Sequence, residues 1–175
     1  MKAKFIHETL GDILKPKSEE DIITLMDNLD SKDLLNKSIY SCFLPGVKKA
    51  LKDGADVHTL DDWALRFASY KGYYDIVKVL IYRNANVHAQ NDEALHLASQ
   101  YGHYDIVALL LDNGANVHAS ADSALRHASQ NGYYDIVEIL LKHGADIHAM
   151  NDWSLRHAHI NVEELLKKWL EKDEG

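Results

Sequence analysis

Histidine is the residue type on this chain best suited to chemistry, and there are eleven of them. Imidazole ligates metals and exchanges protons near neutral pH. Four of the eleven, His58, His88, His118 and His148, stand thirty residues apart. Two imidazoles sharing a zinc ion need ring nitrogens within roughly 4 Å, because each Zn–N bond is about 2.0–2.1 Å. Helices packed side by side sit about 8–10 Å apart. A ladder at the repeat spacing therefore shares no ion, and these rings are read as structural, hydrogen-bonded to the backbone of their own arm and the next turn. Arg66, His96, Arg126 and Arg156 form a second ladder, followed one residue later by Phe67, Leu97, His127 and His157. His157 and His159 fall on different faces of a helix. Neither metal nor cofactor is expected.

The other reactive types offer less. Cys42 is the only cysteine, so there is no disulfide framework and no spacing typical of a catalytic thiol, and a reducing, cytoplasmic setting is expected. No glycine-rich phosphate loop of the P-loop type occurs. The Asp and Glu residues are accounted for by helix caps and solvated faces. No enzyme is expected. Acid should nonetheless loosen the fold. Protonating every histidine would move the formal charge from −8 to about +3, and stacked, partly buried rings resist taking a charge.

These residues are positioned by a repeat. Val57-His58, Val87-His88, Val117-His118 and Ile147-His148 mark one phase. Gly72, Gly102 and Gly132 mark another, and the Asp-Ile-Val runs at 75–77, 105–107 and 135–137 a third. A fixed period in this range means stacked supersecondary units, and such arrays act by presenting extended surfaces. In one unit Asp92 is placed to cap a first helix of about two turns, with Leu95 and Ala98 on its buried face and Gly102 at its end. Asp105 opens a second helix, whose Ile106, Leu109 and Leu110 follow the i, i+3, i+4 pattern. After Gly114, residues 115–119 read as an extended arm. Tyr74, Tyr104 and Tyr134 recur at the start of the second helix and are read as packing residues.

The runs Ala-Leu-His-Leu-Ala-Ser, Gly-His, Ile-Val-x-Leu-Leu-Leu and Gly-Ala-Asn-Val resemble the ankyrin repeat, over roughly 31–170. The resemblance implies an all-α solenoid of helix-turn-helix units with short arms. Three departures stand out. The unit is shorter than the usual 33 residues or so, with the missing residues falling in the hairpin before the first helix. The opening Thr-Pro is replaced by Trp63-Ala64, Glu93-Ala94, Ser123-Ala124 and Trp153-Ser154. His stands where Asn usually follows Val. This short variant is similar to the ankyrin arrays of giant DNA viruses, which implies a viral origin and a host protein as partner.

The organisation read from the chain is a helical extension over 1–30, a degenerate capping repeat over 31–61, three full repeats over 62–151 and a C-terminal cap over 152–175. In the first cap Leu35 aligns with Leu65 and Val47 with Val77, while Lys37, Lys49 and Lys52 stand at mostly apolar positions. Residues 18–29 read as an eroded second helix. A helix over about 4–14 has three open roles: an extra cap, a mobile segment or a docking element. In the C-terminal cap Val162, Leu165, Leu166, Trp169 and Leu170 make one stripe, and 171–175 should fray.

No apolar run is long enough to span a membrane, and no signal peptide is read at the N-terminus. The acidic balance argues against nucleic acid and anionic membranes. Another protein remains as the partner class, and the expected function is protein–protein interaction as an adaptor or inhibitor. By the resemblance, the pair before the helix-ending glycine lies on the concave side: Tyr70-Lys71, Gln100-Tyr101 and Gln130-Asn131. With the helix-opening Trp63, Glu93, Ser123 and Trp153 these form one candidate contact strip. Trp63, Trp153, Tyr70 and Tyr101 do not recur in every unit, which marks positions released from a common packing demand, and Tyr and Trp are the usual anchors of interfaces. The alternative is a self-assembling component packing through the N-terminal helix or the strip, although a monomer is expected.

Overall fold

The computed structural model describes residues 29–173. The helices expected over 4–14 and 18–29 lie, but for Leu29, outside the described residues. These residues contain ten α-helices and fall into two compact units, one ending at Ala55 and one beginning at Asp56.

The first unit is a helix pair. In α1 (Ser31–Tyr40) Asp30 is the N-cap, its carboxylate accepting the Asp33 amide at 2.7 Å. In α2 (Leu44–Lys52) Pro45 stands in the first turn, where its missing N–H costs nothing. Leu34, Leu35, Ile39, Val47 and Ala50 are buried. Of the lysines that replace apolar residues, Lys49 pairs with Asp53 at 2.7 Å and Lys52 is exposed.

The second unit alternates two kinds of helix. α3 (Thr59–Lys71), α5 (Ala89–Gln100), α7 (Ala119–Asn131) and α9 (Ala149–Arg156) pack on one another in series. They are the first helices of the repeat. α4 (Tyr74–Tyr82), α6 (Tyr104–Asp112) and α8 (Tyr134–Lys142) pack on α3, α5 and α7 as their second helices, and α10 (Ile160–Asp173) packs on α8. Leu65, Leu95 and Leu125 from the first kind and Leu80, Leu110 and Leu140 from the second are fully buried. Ala68, Ala98 and Ala128 are also fully buried, and their small side chains let the first helices approach closely. Val162, Leu165 and Leu166 of α10 are buried, while Glu163, Glu164, Lys167 and Lys168 are exposed. This helix runs to Asp173, past the expected fraying point.

The connection into each first helix differs from the expected extended arm. It is a tight turn folded on an Asx residue. The Oδ1 atoms of Asp56, Asn86, Asn116 and Asp146 accept the amides of His58, His88, His118 and His148 at 2.8–3.0 Å. Asn and Asp favour this turn because their short side chains mimic a backbone acceptor. Three residues then adopt left-handed dihedrals in every unit, at 60–62, 90–92, 120–122 and 150–152, with φ between 51° and 60°. L-residues normally visit this region singly. Asp or Asn, which tolerate it best, fill seven of these twelve positions. The regular part of α3 thus begins at Trp63, and that of α5 at Glu93.

Candidate functional site

The histidine ladder is structural, but not in the expected way. The ring Nδ1 of His58, His88, His118 and His148 lies 2.6–3.1 Å from Oδ1 of Asp62, Asp92, Asp122 and Asp152. The partners are carboxylates four residues on, not backbone groups. A carboxylate only accepts, so Nδ1–H is the donor. The same Oδ1 also accepts an amide from the following unit. Asp62 takes Asn86 N at 2.8 Å, Asp92 takes Asn116 N at 2.7 Å and Asp122 takes Asp146 N at 2.8 Å. Asp92, expected as a simple helix cap, is therefore a staple between neighbouring repeats. Buried charge demands such saturation, and the side chains of Asp62, Asp92 and Asp122 are only 5–6% exposed. Asp152 receives no such amide among the described residues, and its side chain is 50% exposed.

The arginine ladder clamps the left-handed turns. Arg66 donates from Nε to Asp61 O and from Nη2 to Leu60 O, and Arg126 donates likewise to Ala121 O and Ser120 O. Arg156 donates to Met150 O. Arg66 also pairs with Glu93 of the next unit through Nη1.

On the outward side of the first helices the aromatic residues meet. Trp63 stacks on Phe67 with centroids 5.0 Å apart. Phe67 meets Tyr70 edge-on at 6.1 Å, and Tyr70 meets Tyr101 edge-on at 4.6 Å. Lys71 Nζ lies 4.5 Å from the Tyr70 ring centroid. Trp63, Arg66, Phe67, Tyr70, Leu97 and Tyr101 line an open groove of about 260 Å³. A second cluster continues along the array. His96 and His127 are 4.5 Å apart, His127 and Trp153 6.4 Å, and Trp153 stacks on His157 at 4.4 Å, with Arg126 5.5 Å from the Trp153 ring. His96 and His127 belong to different phases of the repeat, so same-phase spacing gave no hint that they meet. Desolvation by burial, followed by the proximity of His127, holds the His96 imidazole below its usual pKa. Among the described residues no three His, Cys, Asp or Glu side chains converge as a metal site.

Within the candidate strip, Trp63, Tyr70, Glu93, Gln100 and Trp153 are partly exposed and Lys71, Tyr101, Gln130 and Asn131 exposed. Asn131 Nδ2 donates to Gln100 O at 2.9 Å, so part of this edge is bonded between units. Ser123 does not belong to the strip. It is 3% exposed, with its hydroxyl 3.5 Å from Ala119 O, because a small residue at this phase is covered where Trp and Glu project. Tyr74, Tyr104 and Tyr134, expected to pack, are instead 38–45% exposed. The packing role falls one residue earlier. A Cβ on Gly72, Gly102 or Gly132 would lie 2.7–2.8 Å from the ring of His103, Tyr133 or His159. Each ring thus sits on the preceding unit's glycine, and His103 Nε2 also reaches Tyr70 O at 3.0 Å.

Phe67, Leu97, His127 and His157 were not assigned to the strip. Their signal was the irregularity that marked Trp63, since the four positions of this phase carry three different residue types. No helix of the described residues is long and apolar enough to cross a membrane. No curated protein is a significant match to the chain. A family model of three ankyrin repeats matches residues 35–121 and again 65–151. With left-handed turns, stapled helix pairs and that match covering most of its length, the chain belongs to the ankyrin-repeat family, whose members are generally protein–protein interaction modules.

Proposed function

We propose that this chain holds a partner protein on the outward side of its first helices, as an adaptor or as an inhibitor that occludes the partner's own site. The observation that carries this reading is the groove formed by Trp63, Phe67, Tyr70 and Tyr101. Large rings there touch one another yet stay partly open, and at none of these positions does the same residue recur in every unit. A scaffold role would be filled alike in each unit, whereas a contact surface is free to vary. Rigid aromatic rings supply large contact area at low entropic cost and dominate the energetics of interfaces. The contact residues assigned are Trp63, Tyr70, Lys71, Glu93, Gln100, Tyr101, Gln130, Asn131 and Trp153.

Affinity capture from lysate tests the assignment, with the native chain beside a Trp63→Ala/Tyr101→Ala variant and mass spectrometry as the readout. A protein retained by the native chain and lost by the variant supports the reading. Equal retention by both moves the interface elsewhere. Recovery of further copies of this chain alone would favour self-assembly.

A further inference from the structure

Charge on the second unit is segregated by helix. The regular stretches of the first helices, 63–71, 93–100, 123–131 and 153–156, contain Arg66, Lys71, Arg126 and Arg156 against one carboxylate, Glu93. The second helices α4, α6 and α8 contain Asp75, Asp105, Asp112, Asp135 and Glu138 against Lys78 and Lys142. On the second unit of this net-acidic chain the first helices are thus the basic face. The acids nearest the groove are already engaged. Glu93 is paired with Arg66, and Asp61 is held by Gln90 Nε2 at 2.8 Å. Asp62, Asp92 and Asp122 are buried in their staples. Three cations are not so engaged: Arg156 donates to Met150 O alone, and the other two lie against aromatic rings. Lys71 lies over the rings of Phe67 and Tyr70, and Arg126 lies beside Trp153 while donating only to backbone carbonyls. Neither has a carboxylate partner among the described residues.

We infer that the partner presents an extended acidic segment with intervening apolar side chains, which lies along the first helices with its carboxylates at Lys71 and Arg126 and its apolar residues in the Trp63–Tyr101 groove. The inference rests on the proposed partner-binding face and adds the chemistry of what that face takes. Charge complementarity gives the selectivity within the second unit: the acidic second helices disfavour an acidic segment, and the first helices attract it. A cation over an aromatic ring also keeps its attraction for a carboxylate while the ring shields one side from water. Single-stranded RNA satisfies the same two features, cations and stacking rings. The peptide is favoured because the groove is a short apolar notch beside two separated cations, with no continuous basic track for a phosphate backbone.

A random-peptide display library selected on the immobilised chain tests this. It is run in parallel on Lys71→Glu, on Lys71→Glu/Arg126→Glu and on Trp63→Ala/Tyr101→Ala. Peptides enriched on the native chain should be acidic with apolar anchors, should lose at least about tenfold in affinity on Lys71→Glu, and should weaken with rising salt. Lys71 is exposed and its ammonium touches only rings, so that variant keeps its fold, which thermal unfolding verifies. Enrichment of neutral or basic peptides, equal enrichment on Lys71→Glu, or no enrichment over the Trp63→Ala/Tyr101→Ala variant overturns the inference. So does tight binding of a uridine oligomer in place of peptide. A lysate partner lost by Trp63→Ala/Tyr101→Ala but kept by Lys71→Glu/Arg126→Glu would sink the acidic-segment inference alone. A partner kept by both would sink the proposed face itself.

Discussion

Replacing Asp92 with Ala should destabilise the array far more than the same change at Asp152. The two residues share their repeat phase, their left-handed backbone and an imidazole four residues earlier. They differ in that Asp92 also accepts the Asn116 amide of the next repeat at 2.7 Å and is buried, whereas the Asp152 side chain is half exposed. Removing the Asp92 carboxylate strands a part-buried donor, which costs about 1–3 kcal/mol. The His88 contact adds at most about 1 kcal/mol, because that imidazole is more than half exposed and solvent screens the pair. Ala tolerates the left-handed region less well than Asp, by up to about 1 kcal/mol. Asp92→Ala should therefore cost about 3 kcal/mol. Asp152→Ala, lacking the amide, should cost about 1 kcal/mol from the same terms. For a chain of this size each kcal/mol lowers Tm by about 2–4 °C, so the expected drops are about 6–12 °C and about 2–4 °C. Asp92→Asn should fall between them, since its Oδ1 still accepts from Asn116. Because stacked repeats couple only to their neighbours, losing this staple should also broaden the transition. Circular dichroism during urea and thermal unfolding reads both effects. Equal losses at Asp92 and Asp152 would refute the staple and leave the carboxylate a purely local cap.

His96 makes stability depend on pH. Its pKa is lowered in the folded state, so between that value and the usual value near 6.5 the unfolded chain binds more protons. The stabilisation tied to neutral His96 is present above about pH 6.5 and is lost as pH falls through the folded-state value. The unfolding midpoint should therefore drop from pH 7.5 to 5.5, and His96→Gln should shrink that drop, whereas an unchanged drop would assign it to other groups. Gly102→Ala should cost more than Gly114→Ala, as measured by urea unfolding. Both glycines have positive φ, worth about 1–2 kcal/mol against Ala, but only at Gly102 does the new methyl meet a ring, that of Tyr133 at 2.8 Å. Leu110→Ala should cost about 2–5 kcal/mol by opening a cavity at a fully buried position. Trp63→Ala/Tyr101→Ala should cost about 0.5–1.5 kcal/mol for each ring pair lost, while partner capture is lost. If that pair of changes destabilises as much as Leu110→Ala, the groove is core and not a contact face. Ser99→Ala should raise stability by on the order of 1 kcal/mol, because the Ser99 hydroxyl is fully buried with no hydrogen-bond partner among the described residues.

The repeat made the fold legible. Three phases of identical residues recur every thirty positions, and local rules convert them directly into helix pairs: Asp in the first turn of the second helix, Leu and Val at helical spacing, glycine at the end. The same reading singled out Trp63, Tyr70, Tyr101 and Trp153 as candidates, since irregular residues stand out against a regular background. The Asx turn was legible too, in Asp56, Asn86, Asn116 and Asp146, but the apolar Ala-x-Val beside it was read as an extended arm.

What only the tertiary structure decided is how one unit meets the next. A carboxylate can cap its own helix or reach across a boundary, and Asp92 is pulled across because the neighbouring turn presents the Asn116 amide at hydrogen-bond distance. His96 and His127 share no repeat phase, and they touch because the offset between stacked helices brings successive turns into register. Ser123 occupies the phase of Trp63 and Trp153 yet is buried, because exposure there depends on how far the side chain reaches past its neighbours. The sequence determined each unit by short-range periodicity. The contacts between units were set by packing geometry, which no spacing along the chain encodes.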